Sequence, residues 1–141
     1  MLIVFLPLVL ILLLLWFVAA IGLHVITLVM WSPRGRNVLF VYSDSPVWKE
    51  YVENSILPRL PRSAVILNWS ERNRWPTLSL AVCLFRFYGG GREYNPLALV
   101  IRPLRGPRVF RFWRALKDLK HGKVETLNRV EATFLKEIGS A

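Results

Sequence analysis

The sequence predicts an α/β protein, an N-terminal transmembrane helix followed by a small β-α-β-α-β-β-α domain. Three observations predict it. Residues 1–31 contain no Lys, Arg, Asp or Glu. Beyond them, short apolar runs bounded by turn residues alternate with stretches whose apolar residues recur at helical spacing. The final two runs are joined by a turn too short for a crossover, so they must pair antiparallel. The chain thus divides into an anchor at 1–31, a polar linker at 32–36 and a basic domain at 37–141.

The anchor comes first. At about 1.5 Å per residue its 31 residues reach roughly 46 Å, against a hydrocarbon core of about 30 Å. One tilted crossing is expected, with Pro7 towards the outer end and Trp31 at the lipid–water edge. A cleaved signal peptide would need a basic start and a far shorter apolar core. The flank Ser32-Pro33-Arg34-Gly35-Arg36 carries the first basic residues. By the positive-inside bias the N-terminus lies outside and the domain in the cytoplasm, at a plasma or inner membrane. His24 falls within the span and is expected to be neutral, and packed or facing a partner.

Residues 37–42 (NVLFVY) read as a buried central strand. Ser45 then caps a helix that Pro46 opens, with Trp48, Tyr51, Val52 and Ile56 on one face and Lys49 paired to Glu53 on the other. Pro58 and Pro61 stop it. Residues 64–69 (AVILNW) read as a second buried strand. A loop leads to a helix over 77–88 with Leu80, Cys83, Leu84 and Phe87 on its face, and Gly89-Gly90-Gly91 ends it. A third strand covers 97–101 and a hairpin turn 102–107. Residues 109–113 form a fourth strand or the start of a helix, 114–120 are helical, and an amphipathic helix over 124–138 presents Leu127, Val130, Phe134 and Ile138. Strand–helix alternation predicts a parallel first pair.

The formal net charge is +10, all of it beyond the anchor. Anionic lipid headgroups and nucleic acid are the partners such a charge suits, and the anchor already places the domain beside lipid. The lone Cys83 excludes an internal disulfide framework and a Cys-rich metal site. No His or carboxylate set has metal-ligand spacing, and the triple glycine lacks the Lys-Ser/Thr of a P-loop. No metal, cofactor or catalytic residue is assigned.

Two candidate sites remain. Asp44, Ser45 and Trp48 follow the first strand, where ligands of open α/β sheets bind, and the turn holding Tyr94 and Pro96 could converge on them. Capping of the helix is the favoured account of Asp44 and Ser45. The second site is a basic run at every third position: Arg102, Arg105, Arg108, Arg111, Arg114, Lys117, Lys120 and Lys123, interleaved with Phe110, Phe112 and Trp113. A spacing of three holds no single face on a strand or a helix, so this is a basic region for binding an anionic surface.

The element order resembles the thioredoxin-like fold. Asp44-Ser45-Pro46-Val47 occupies the turn where that family's central strand enters its first helix, and Tyr94-Asn95-Pro96-Leu97 the place of its cis-proline turn. The resemblance implies a helix after the closing hairpin. The family's redox chemistry requires a Cys at the start of the first helix, and none stands there. Cys83, in the middle of an apolar stretch, reads as a small core residue.

These readings combine into a single-pass, non-catalytic adaptor or scaffold. Its basic domain would dock on anionic lipid or an acidic protein partner, with exposed aromatics adding contact energy. Two alternatives stand beside it: a small-ligand-binding or degenerate thioredoxin-like enzyme using the crevice near Asp44 and Pro96, and non-specific nucleic-acid binding at the membrane.

Overall fold

A long apolar helix leads directly into a four-stranded mixed sheet. The computed structural model describes the backbone of residues 2–140 and the side chains of residues 5–140. Helix α1 spans Leu2–Trp31 and is long and apolar enough to cross a membrane. A 3-10 turn, Ser32–Arg34, ends it, and Gly35 closes the turn in the left-handed region at φ 63°. Arg36 N donates to the Trp31 carbonyl at 3.0 Å, so the expected linker is a hydrogen-bonded reversal of the chain.

Strand β1 (Val38–Tyr42) enters the sheet at once. A helical segment follows, α2 (Lys49–Tyr51) widening into a π turn over Val52–Ile56 and tightening to a 3-10 turn over Leu57–Arg59. Its core face is the one predicted: Val52 and Ile56 are buried, with Trp48 and Tyr51 packed beside them. Strand β2 (Val65–Asn68) leads into a 3-10 turn, Trp69–Arg74, which the Asn68 side chain caps by accepting from Ser70 N. Then come α3 (Leu80–Gly89), β3 (Leu97–Arg102), β4 (Arg105–Arg111), α4 (Phe112–Lys120) and α5 (Val124–Gly139). The Asn95–Pro96 peptide leading into β3 is cis.

The sheet order is β2-β1-β3-β4. β1 and β2 are parallel, while β3 is antiparallel to both β1 and β4. Side chains alternate across it with a period of two. Val38, Phe40, Ala98 and Val100 point into one core, which the α2 segment, α4 and α5 cover. Phe134 of α5 meets the rings of Phe40, Phe110 and Phe112 there, at centroid separations of 6.3, 5.3 and 5.5 Å. Leu39, Val41, Leu97 and Leu99 point into a second core on the opposite face. Its cover is α3 and, from the anchor, Leu23, Leu28 and Trp31.

Several expectations change. Trp31, expected at a lipid edge, is 5% exposed within the second core, because the Gly35 reversal folds α1 back onto the sheet. β2 is an edge strand with only one neighbour, and Ile66 remains 46% exposed rather than buried. α3 buries Ala81, Leu84 and Phe85 against the sheet. Its predicted face is therefore rotated, and Phe87 turns to stack on Trp16 of α1 at 5.6 Å. The helix is apolar on two sides because it has two neighbours. The fourth strand ends at Arg111, and Phe112 and Trp113 open α4. Phe110 and Phe112 are buried core residues, which removes them from any exposed aromatic surface.

Candidate functional site

The basic region separates into groups with different surroundings. Arg102 and Arg108 both reach Glu137 of α5, Arg102 Nη1 at 3.4 Å from Oε1 and Arg108 Nη1 on Oε2. Arg102 also donates through Nε and Nη2 to the Gly106 carbonyl at 3.2 and 2.9 Å, which closes its own hairpin. Arg111 donates to the carbonyls of Gly89 and Tyr88 at 3.1 and 3.3 Å. Those carbonyls end α3, where the helix leaves acceptors unpaired and a cation is favoured. Three of the eight basic residues thus hold the fold together. Alternation along the strand explains the division: Arg108 shares a side with Phe110 and the first core, Arg111 with Val109 and the second.

Among the described residues, Arg105, Arg114, Lys117, Lys120 and Lys123 meet no carboxylate, and all five are exposed. Ala115 and Leu116 are buried on the inner side of α4, which turns Arg114, Lys117 and Lys120 outward. Lys117 Nζ stands 5.4 Å from the centroid of Trp113, and Trp113 stacks on Tyr94 at 4.5 Å. Arg105 lines a groove with Arg102, Leu104, Arg108 and Glu137. It adjoins Gly106 and Pro107, and those two line a second groove with Trp16, Ala20, His24 and Tyr88. The basic edge strand therefore runs beside the apolar helix. His24 Nδ1 is buried with no hydrogen-bond partner among the described residues.

The turn after β1 is tied up internally. Asp44 Oδ1 pairs with Lys49 Nζ at 2.9 Å and accepts from Asn68 Nδ2 at 3.2 Å. The Lys49 contact, then Asn68, holds the Asp44 carboxyl below its usual range, and Lys49 is raised in return. Asp44 N donates to Ser70 Oγ at 2.9 Å. Ser45, expected to cap a helix opened by Pro46, does not: α2 begins at Lys49 with Trp48 at its N-cap and no side-chain cap. Ser45 instead stands in the preceding turn, where its Oγ accepts from Val47 N at 3.4 Å and its carbonyl from Lys49 N at 2.9 Å. Trp48 Nε1 donates to Ser43 Oγ at 3.2 Å while its ring packs against the first core. Pro96 lies just before β3, whose Leu97 pairs with Val41, so the two turns share one end of the sheet. The Pro96 carbonyl accepts from Phe112 N at 3.0 Å, and the Tyr94 hydroxyl accepts from Arg92 at 3.0 Å.

The sequence reading missed Glu137, Glu131 and the α3 carbonyls, each of which anchors a cation or a hydroxyl. Glu131 receives both Arg59 and the Tyr51 hydroxyl. Burial, then the bond to Glu131, pushes the Tyr51 hydroxyl well above the ordinary phenol range. Their spacing on α5, Glu131 and Glu137 outside a buried Phe134, was the available signal. Among the described residues no group of His, Cys, Asp or Glu could hold a metal ion, and Cys83 has no disulfide partner. No family model, curated protein or solved structure matches the chain.

Proposed function

We propose that this chain is a single-pass membrane adaptor or scaffold without a reaction of its own, whose basic domain docks on anionic lipid. The observation that carries this reading is the position of the β3–β4 hairpin, whose Gly106 and Pro107, next in sequence to Arg105, line a groove with Trp16, Ala20 and His24 of the one helix among the described residues that is able to span a bilayer. Each basic side chain near an anionic leaflet contributes about 1 kcal/mol to such docking. The Arg34 and Arg36 flank favours a cytoplasmic domain and an outer N-terminus. We also read the domain as thioredoxin-like without the redox cysteines. Support comes from a central β1 leading through a turn into a helical segment, the Pro96 turn before the closing hairpin, and the helix after it.

A second reading has its own observation. Arg114, Lys117 and Lys120 lie on the layer of the sheet opposite α1, where an acidic protein partner could reach them. The small-ligand reading of the Asp44 and Pro96 turns draws less support, since Asp44 and Trp48 are partnered within the fold. Among the described residues Asn95 Oδ1, beside Pro96, is the one side-chain polar atom of these turns buried without a partner.

Energy transfer tests the lipid reading. The full chain is reconstituted in neutral and in phosphatidylglycerol vesicles, with a donor at Ser140 and an acceptor on the headgroups. Transfer should rise with anionic lipid, fall with salt, and fall again in R105E. Equal transfer in all vesicles excludes lipid docking. Loss of transfer only in R114E/K117E/K120E would move the docking surface to α4.

A further inference from the structure

The half of α1 that packs on the domain keeps a second, uncovered side. Ile21, Val25 and Val29 recur at a spacing of four, and Ile26 and Met30 adjoin them. Each is about half exposed or more, alongside residues that are part of the domain's own core. An apolar strip of this extent is not left in water by a folded domain. It spans about 14 Å of helix at the usual rise. The strip continues without a charge into Trp16 and Phe17, both also exposed.

Between this helix and the hairpin lies a groove of about 360 Å³, whose walls are chiefly Trp16, Phe17, Ala20, Ile21, Tyr88 and Pro107. It opens beside the exposed strip, so whatever solvates the strip also fills the groove. Arg111, fixed to the carbonyl of the lining residue Tyr88, sets a guanidinium beside it. Apolar walls with a guanidinium alongside match the chemistry of a phospholipid, an acyl chain below an anionic headgroup.

We propose that this side of the domain is immersed in the membrane interface and that the groove seats an acyl chain of the surrounding bilayer. The inference rests on the membrane reading above and adds a depth to it: the domain is not suspended over the bilayer but set into its edge.

Depth-dependent quenching separates the two. Single cysteines are introduced in the full chain on a Cys83→Ala background, with Cys83→Ser as a second background should the first fold poorly. Each carries an environment-sensitive fluorophore, in vesicles whose lipids bear nitroxides along the acyl chain. Gly106→Cys probes the groove, and a Cβ there meets nothing within 4 Å. Leu10→Cys probes the exposed part of α1, and Asn54→Cys the far layer. The expected result is strong quenching at Leu10, at least half as much at Gly106, and none at Asn54. Quenching at Leu10 with none at Gly106 overturns the immersion and leaves the anchor intact. Absence of quenching at Leu10 overturns the membrane reading, and the immersion with it.

Discussion

The two faces of the sheet are covered in different ways. The first face is closed by helices within the domain and tied by charge: Tyr51 and Arg59 to Glu131, and Arg102 and Arg108 to Glu137. The second face is closed by α3 and by half of the membrane-type helix, mostly through apolar and aromatic contact. The helix long and apolar enough to cross a membrane is therefore also a core helix. A domain cut away at residue 32 is not the same object as the domain in the chain.

Removing α1 gives the largest expected effect. A fragment beginning at Ser32 loses Leu23, Leu28 and Trp31 from the second core and uncovers part of the surface formed by Leu39, Leu99 and Ile101. It should aggregate or lose cooperative unfolding. A soluble, monomeric fragment with unchanged near-ultraviolet circular dichroism would show that the two faces are independent.

Point substitutions in the full chain sharpen the contrast. Phe134→Ala removes a ring that touches three others in the first core and should cost about 3–5 kcal/mol. Trp31→Ala should cost a similar ~3–5 kcal/mol if the second face is equally a core. Urea unfolding in mild detergent compares them. A neutral Trp31→Ala would detach α1 from the domain.

Tyr51→Phe tests the polar ties of the first face. A hydrogen bond to a charged acceptor contributes about 1.5–3 kcal/mol, and the half-buried Tyr51 hydroxyl makes one to Glu131. Its folded pKa is raised, so the contribution is complete below the unfolded phenol value of about 10. It is lost as pH rises towards the folded value. Wild type and Tyr51→Phe should converge in stability at strongly alkaline pH, as read from denaturant midpoints between pH 7 and pH 11. Glu137→Gln should have the smallest effect. Its two partly exposed ion pairs together contribute about 1–2 kcal/mol at low salt, and less as salt is added. It also frees two cations, so binding to anionic vesicles should strengthen.

Much of this fold could be read from the sequence, for identifiable reasons. β1 and β3 are continuous apolar runs and are buried as such, and α5 has a helical period that buries Leu127 and Phe134 and half-buries Val130 and Ile138. The parallel first pair and antiparallel last pair follow from connection length. β2 was misjudged because an apolar run does not reveal whether one neighbour or two will flank it. α3 was misjudged because Phe87 answers to Trp16, a residue 71 positions away in what reads as a separate anchor. The candidate site was legible as composition only. Charge spacing located eight cations. It could not say that Arg102, Arg108 and Arg111 would be committed to Glu137 and to the end of α3.

The central claim is that α1, a helix long and apolar enough to cross a membrane, is also part of the domain core, and proximity tests it most directly. Trp16 and Phe87, stacked at 5.6 Å, are replaced by cysteines in the full chain lacking Cys83, reconstituted in vesicles and treated with a short bifunctional thiol reagent. The account predicts efficient intramolecular crosslinking of the Trp16→Cys/Phe87→Cys pair and none between Trp16→Cys and Ile66→Cys on the opposite edge strand. Uncrosslinked chains in which both Trp16→Cys and Phe87→Cys react singly would contradict it.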